Sequence, residues 1–198
     1  MTRTLILASS SPYRRELLER LGMPFQTATP AIDETPLPDE KPAAMALRLS
    51  AQKAKALALR FPDALIIGSD QVASLDNQVL GKPGGYAAAT EQLKRMNGKT
   101  TTFYTALSLY NSKTHHLQQD TVVTHVRLRT LSAAQIDAYL QRDQPWDCAG
   151  SARSEGLGIA LMESLSGDDP TALIGLPLIA LTRMLAAESW DILSSSKG

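Results

Sequence analysis

The sequence predicts a mixed α/β fold. Apolar strand signals and capped helix signals alternate from residue 4 onward. Two long runs rich in Thr, Val, Leu and Tyr, Thr101 to Tyr110 and Thr121 to Thr130, read as antiparallel strands. This β-rich middle argues against a purely parallel doubly wound sheet. No repeat, low-complexity segment or long linker divides the chain, so residues 1–198 are expected to form a single domain.

The elements follow in order. Thr4 to Ala8 (TLILA) is a short apolar run suited to a buried strand. Ser11 is an N-cap and Pro12 a first helical residue; the helix runs through YRRELLERL and stops at Gly22. Phe25 to Ala28 and Ala31 to Glu34 are extended, with proline between and after them. Pro42 opens an Ala/Leu-rich helix expected to reach about Arg60, with Pro62 ending it. Ala64 to Ser69 (ALIIGS) is the next buried strand, and Asp76-Asn77 the turn of a hairpin after it. Gly85 to Met96 is a helix closed by Asn97-Gly98, and Ser132 with Gln135 forms a capping box for a helix ending near Gln141. Gly158 to Leu165 is expected as a strand and Pro177 to Ala187 as a last amphipathic helix; the SSSKG end should fray.

Composition removes several function classes. The chain has 198 residues, with 20 Lys+Arg against 20 Asp+Glu. That length can bury roughly 70% of the unfolded surface, so a core is available. Zero net charge argues against a bulk nucleic-acid binder and against an acidic disordered chain, but not against a small anionic ligand. A single cysteine, Cys148, allows no internal disulfide and no Cys-based zinc site, and suits a reducing compartment. The apolar part of the N-terminus is too short for a signal peptide. The longest uncharged stretch, Pro170 to Thr182, is shorter than a membrane span. A soluble, cytoplasmic protein is expected.

Four features look out of place. In Ser9 to Arg15 (SSSPYRR) a strand runs through a Ser-rich turn into a helix, a ready anion site, and Arg14 and Arg15 sit where the helix dipole favours acids. The alternative is a capped helix with solvated arginines. Lys53 interrupts the stripe Met45, Leu49, Leu57; it could also snorkel. Asp70, in Gly68-Ser69-Asp70-Gln71, lies at the carboxyl end of an apolar strand, where ligand sites gather in open sheets. It could hold Mg²⁺, activate a water or cap a turn. Asp33-Glu34 could add a metal ligand or be a solvated turn. Lys82, between Gly81 and Pro83, sits in a shaped turn and could neutralise phosphate. His115, His116 and His125 show no metal-ligand spacing and read as surface residues; Cys148 reads as a small structural residue.

In order along the chain, the SxSPxRxxLL start, Asp33-Glu34, Lys53-Ala54, Gly68-Ser69-Asp70, Gly81-Lys82-Pro83 and Gly98 with Tyr104-Thr105 resemble the Maf-type nucleotide pyrophosphatases. Cys148-Ala149-Gly150 and Gly175-Leu176-Pro177 extend the match, which covers Leu5 to about Leu185. The resemblance implies an elongated, Maf/ITPase-like α/β fold, with a mixed β-sheet split between two lobes, flanking helices and a cleft between. It implies hydrolysis of a nucleoside triphosphate between its α and β phosphates, with a divalent cation (Mg, Mn or Co) required. Asp70 matches the family's proton acceptor. Ser9, Arg14, Lys53 and Lys82 match phosphate-contacting positions, and Glu34, with Asp70, an acidic position that helps hold the metal.

Three positions bear on the base. Groups acting on thymidine or uridine triphosphates generally carry Arg, Thr and Gln where this chain has Tyr13, Gln71 and Glu155. An aromatic residue, Gln and Glu there resemble the 7-methyl-GTP pyrophosphatase subgroup, which usually shows Trp at the first position. A 7-methylated guanine is cationic. An aromatic face attracts it by about 0.5–2 kcal/mol, and Glu155 can accept hydrogen bonds from the guanine N1–H and 2-amino group. The expectation is a pyrophosphatase for 7-methyl-GTP. A dTTP/UTP pyrophosphatase and a non-catalytic nucleotide-binding regulator of septum formation are the alternatives. The expected partner is the nucleotide, not a nucleic acid or a membrane, with a homodimer as one option.

Overall fold

In the computed structural model, residues 3–193 are described; the SSSKG end lies outside them. Seven strands form one mixed sheet: β1 (Thr4–Ala8), β2 (Gln26–Ala28), β3 (Ala64–Leu75), β4 (Gln78–Leu80), β5 (Thr100–Asn111), β6 (His116–Leu128) and β7 (Met162–Gly167). Their order is β2-β1-β3-β5-β6-β7, with β4 also paired to β3. The helices are α1 (Pro12–Glu19), α2 (Pro42–Lys55), α3 (Tyr86–Met96), α4 (Ala133–Asp143) and α5 (Leu178–Ala187). Among the described residues no helix is long and apolar enough to cross a membrane.

The sheet is parallel at one end and antiparallel through the middle. β1 pairs in parallel with β2 and β3, whereas β3, β5, β6 and β7 run antiparallel in sequence. One edge of β3 is shared by two short partners. β1 covers Ala64 to Ile67 and β4 covers Ala73 to Leu75. Among the described residues Gly68 to Val72 therefore has no strand partner on that edge, while β5 pairs along the opposite edge. This gap in the edge makes the cleft.

The core has separate parts on either side of the gap. Alternation along β1 and β3 sends Leu5, Leu7, Leu65 and Ile67 to α1 and α5, and Ile6, Ala8 and Ile66 to the end of α2. Beyond the gap, Ala73, Leu75, Phe103 and Val126 pack with Leu93 and Met96 of α3 and Ile136 and Leu140 of α4. α2 lies over the join, where Ala46, Val72 and Ala106 meet.

Local signals behave as their chemistry requires. Ser11 caps α1, accepting from the Arg14 N–H, with Pro12 at the first position. The Ser132/Gln135 capping box on α4 is complete in both directions. Asp76 and Asn77 both have positive φ, as a tight hairpin turn between β3 and β4 demands.

Four boundaries differ from the sequence expectation. α2 ends at Lys55, not near Arg60; three-residue turns carry the chain on to Phe61, burying Leu57 and leaving Leu59 fully exposed. β3 does not stop at Ser69: the polar stretch Gly68 to Gln71 keeps its ladder with Ser108 to Thr105 of β5. β6 starts at His116 and ends at Leu128, because its polar first half pairs with β5 as fully as its second half. Residues 157–161 form short 3₁₀ turns, so β7 begins only at Met162. Gly158 packs so closely on the Arg153 backbone there that a Cβ would lie 2.4 Å from its carbonyl oxygen.

Candidate active site

Asp70 sits in the middle of the uncovered β3 edge, not at the carboxyl end of a strand. The strand end that matters belongs to β1, which stops level with Ile67 and opens the space beside Asp70. Period-two alternation turns Gly68, Asp70 and Val72 toward α2 and turns Ser69 and Gln71 the other way. Asp70 and Val72 from the first set and Gln71 from the second line one cavity of about 590 Å³. Ser9, Tyr13, Arg14, Glu34, Lys53, Asp70, Gln71, Lys82 and Glu155 all line it. These nine candidate residues are thus brought together, whereas Asp33 is exposed and accepts from the Thr35 N–H in a turn.

Gly68 makes the closest approach possible. A Cβ there would lie 2.1 Å from the Ser50 carbonyl oxygen and 2.8 Å from the Ala54 nitrogen. Helix α2 therefore rests directly on the strand, fixed by a buried contact of 2.8 Å between the Ser50 and Ser108 hydroxyls. One turn on, Lys53 projects from α2 over the β3 edge. Its ammonium lies 2.5 Å from Asp70 Oδ1 and 2.8 Å from Glu34 Oε1. Lys53 does not snorkel: it is buried, and its charge is compensated by two carboxylates rather than by bulk water.

Burial sets the tone of these charges. Desolvation pushes the Asp70 carboxyl above the ordinary aspartate range, against the pull of Lys53 and Arg14, and Glu34 adds to the rise. Glu34 is held below its usual range, first by its hydrogen bond from Lys53, with Lys82 and Arg14 adding to the effect. Burial lowers Arg14, which Asp70 and Glu34 raise again. Three cations thus surround two carboxylates. A basic carboxylate in a positive cradle suits proton abstraction beside bound phosphates.

A loop before α5 holds the other side. The Gly175 carbonyl accepts from Arg14 Nε at 2.8 Å and from the Ser69 hydroxyl at 2.8 Å. Gly175 has φ +121°, a backbone conformation that calls for glycine, and a Cβ there would press on Arg14 Nε at 3.3 Å. The two N–H groups of Gln71 Nε2 are shared among Thr105 Oγ1 and the Ala172 and Leu173 carbonyls, which fixes its amide plane. The loop is tied at its base by Asp169, which is buried and accepts from Thr171 and from the Ile179 N–H. Arg15, the other arginine of the first turn, is exposed and pairs with Glu19 instead.

Around Tyr13 the cavity changes character. The Tyr13 hydroxyl accepts from Arg153 Nη1 at 3.0 Å. Asp147, Cys148, Ala149, Arg153 and Glu155 line this part. Glu155 is exposed and accepts from the Ser154 hydroxyl at 3.2 Å. Cys148 is therefore a wall residue, with its thiol pushed up to about 12 by burial first and then by Asp147. It is not reactive at neutral pH. The three histidines lie on the exposed surface and their ring nitrogens face Tyr110, Glu188 and Thr102. Sequence reasoning passed over Asp147, Arg153 and the Gly175 carbonyl. The first two had a signal, being the charges that flank Cys148-Ala149-Gly150.

Among the described residues no three His, Cys, Asp or Glu side chains converge as a preformed metal cage. Glu34 and Asp70 do converge on one cationic atom, the Lys53 nitrogen. Two carboxylates fit a hard cation such as Mg²⁺, which is commonly held by one or two carboxylates with phosphate oxygens completing its shell.

The chain is similar to proteins of one family along nearly its whole length. The Maf family, described as Maf-like protein, matches residues 4–188. A 7-methyl-GTP pyrophosphatase of Thiobacillus denitrificans is 58% identical over 197 residues, covering 98% of each chain. A protein of the same name from Aromatoleum aromaticum is 58% identical over 93% of this chain and 95% of its own. Another from Cupriavidus metallidurans is 60% identical over 91% of each. Among solved structures, the Staphylococcus aureus Ham1 protein aligns with 64% of this chain and 72% of its own, at 11% identity and a TM-score of 0.47.

Proposed function

Since this chain belongs to the Maf family, we propose that it is a nucleoside triphosphate pyrophosphatase acting on 7-methyl-GTP. The products are 7-methyl-GMP and pyrophosphate. The observation that carries this reading is the polarity of one cavity. Arg14, Lys53 and Lys82 surround Glu34 and Asp70 in one part, while Tyr13 stands in another with Asp147, Glu155 and Arg153, whose charge is met by Asp143. A triphosphate needs the first part and a cationic base the second.

Each residue has a step. Arg14, Lys82 and Ser9 bind phosphate oxygens, Arg14 with its Nε already fixed on Gly175. Asp70 accepts the proton of the attacking water as the α–β phosphoanhydride bond breaks and pyrophosphate leaves. Its raised affinity for a proton makes it a better base than an exposed aspartate. Lys53 keeps it ionised before reaction and faces the charge that develops on the phosphates. Glu34 and Asp70 would hold a divalent cation, Mg²⁺, Mn²⁺ or Co²⁺, which neutralises the triphosphate and polarises it. Tyr13 offers a ring face to the methylated base and Glu155 accepts from its N1–H and 2-amino group. Gln71, its amide nitrogen engaged by Thr105 and by the Ala172 and Leu173 carbonyls, keeps its oxygen available to accept from the same nucleotide. The whole chain then acts as one domain of two lobes about the cleft, in a reducing cytoplasm suited to its single thiol.

The test is a nucleotide panel. Purified protein is incubated with 7-methyl-GTP, GTP, dTTP, UTP and ATP with Mg²⁺, and products are resolved by ion chromatography. Pyrophosphate and monophosphate in equal amounts, with 7-methyl-GTP fastest, are expected. Orthophosphate alone refutes the reaction. Faster dTTP or UTP turnover refutes the base assignment, and tight binding without hydrolysis points to a nucleotide-binding regulator.

A further inference from the structure

Arg153 is the most connected side chain of the cavity wall that none of these steps uses. It follows the short 3₁₀ turn of Ala149–Ser151, on the α4 side of the cleft. Its Nη2 donates to Asp143 Oδ1 at 3.0 Å and to the Asp143 carbonyl at 2.5 Å, and its Nε faces Asp143 Oδ2 at 3.4 Å. Asp143 is the last residue of α4. Two N–H groups remain, both on Nη1, and one of them reaches the Tyr13 hydroxyl at 3.0 Å, on α1. This bond joins residues 140 apart in sequence, across the cleft.

We propose that Arg153 is a positioning residue for nucleotide recognition: clamped by Asp143, it fixes the Tyr13 ring against which the substrate base stacks. This rests on the reading of Tyr13 as the base-stacking residue. Three features support it. A phenol at the end of a short helix has two free torsions, and a single bond at its tip removes most of that freedom. The planar guanidinium is suited to serve Asp143 with one side and Tyr13 with another; an ammonium cannot span both. The Asp143 carboxylate also compensates Arg153, so a cationic base meets no net positive charge beside the ring. Tyrosine and arginine are matched here. A phenol oxygen can accept from Nη1, whereas an indole N–H is a donor only and could not.

The test is a double-mutant cycle of Tyr13→Phe and Arg153→Lys, read on 7-methyl-GTP and GTP. Phenylalanine keeps the ring and loses the bond; lysine keeps the charge opposite Asp143 and loses the reach to Tyr13. Each single variant should raise KM for 7-methyl-GTP about three- to tenfold, the worth of one hydrogen bond, and change kcat less than about twofold. The double variant should be no worse than the poorer single one, because both remove the same contact. Multiplying effects, or a loss in kcat with KM unchanged, would overturn the proposal. Thermal midpoints of all four proteins separate this from misfolding. Arg153→Ala, which strips Asp143 of its partner, should lower the midpoint by several degrees, and Arg153→Lys should not. If the wild-type protein prefers another nucleotide, the 7-methyl-GTP assignment fails by itself, and the same cycle run on the preferred nucleotide still decides the role of Arg153.

Discussion

Gly68→Ala is a one-methyl change that should disable the enzyme without touching a charged group. The added Cβ would sit 2.1 Å from the Ser50 carbonyl oxygen and 2.8 Å from the Ala54 nitrogen, both backbone atoms of α2. An ordinary contact is at least 3.4 Å, so the helix must retreat by about 1.3 Å. Lys53 rides on that helix, and its contacts of 2.5 and 2.8 Å to Asp70 and Glu34 would open beyond hydrogen-bond range. Overpacking of this kind costs about 1–3 kcal/mol, and a displacement of about 1 Å at catalytic groups costs about 10²-fold in rate. For a chain of this size, that stability loss lowers Tm by about 2–12 °C. Circular dichroism melts and pyrophosphate release, measured on the same preparations, check both numbers. Gly85→Ala is the control, since nothing lies within 4 Å of its added Cβ. A folded Gly68→Ala protein with wild-type kcat would refute the claim that this contact sets the Lys53–Asp70 geometry.

Other outcomes follow from the same charges and bonds. Asp70→Asn should lower kcat by about 10²–10⁴ with little change in nucleotide KM, read by steady-state kinetics. The acid limb of kcat/KM reports the proton on Asp70, which must be off for turnover, and burial places that limb above the ordinary aspartate range. Glu34→Gln removes a charge that raises Asp70, so the limb should move to lower pH; Lys53→Met removes the charge that lowers it, so the limb should move to higher pH, each in whatever activity remains. Glu188→Ala should cost about 1–2 kcal/mol in denaturant unfolding, because Arg3, Asn111, His116 and Gln118 all converge on that half-buried carboxylate. Ser132→Ala should cost about 1 kcal/mol by loss of the complete capping box.

Much of this was legible in the sequence, and for specific reasons. Ser11-Pro12, Asp76-Asn77 and Ser132 with Gln135 act through bonds within a few residues, so their meaning does not depend on distant partners. Lys53 stood out because it broke an apolar stripe, and the structure gives the break its cause in Asp70 and Glu34. The end of β3 was misjudged because Gly68-Ser69-Asp70-Gln71 has the composition of a turn. Only the long-range ladder to β5, together with a loop some hundred residues away, keeps that stretch extended. Arg153 escaped for the same reason, since its role depends on Tyr13 and on Asp143 at once.

The unbroken strands β3 and β5 pass from one part of the core to the other beneath the cleft. They act as a keel. A cleft whose floor is a continuous ladder of hydrogen bonds has no loop hinge there, so its walls can change separation only by twisting the sheet. The opening is largely fixed before a nucleotide arrives, and little ordering remains to be done when one binds. Entry and release must then be governed by the rim, where Tyr13 and Arg153 meet across the gap, and not by closure of the floor.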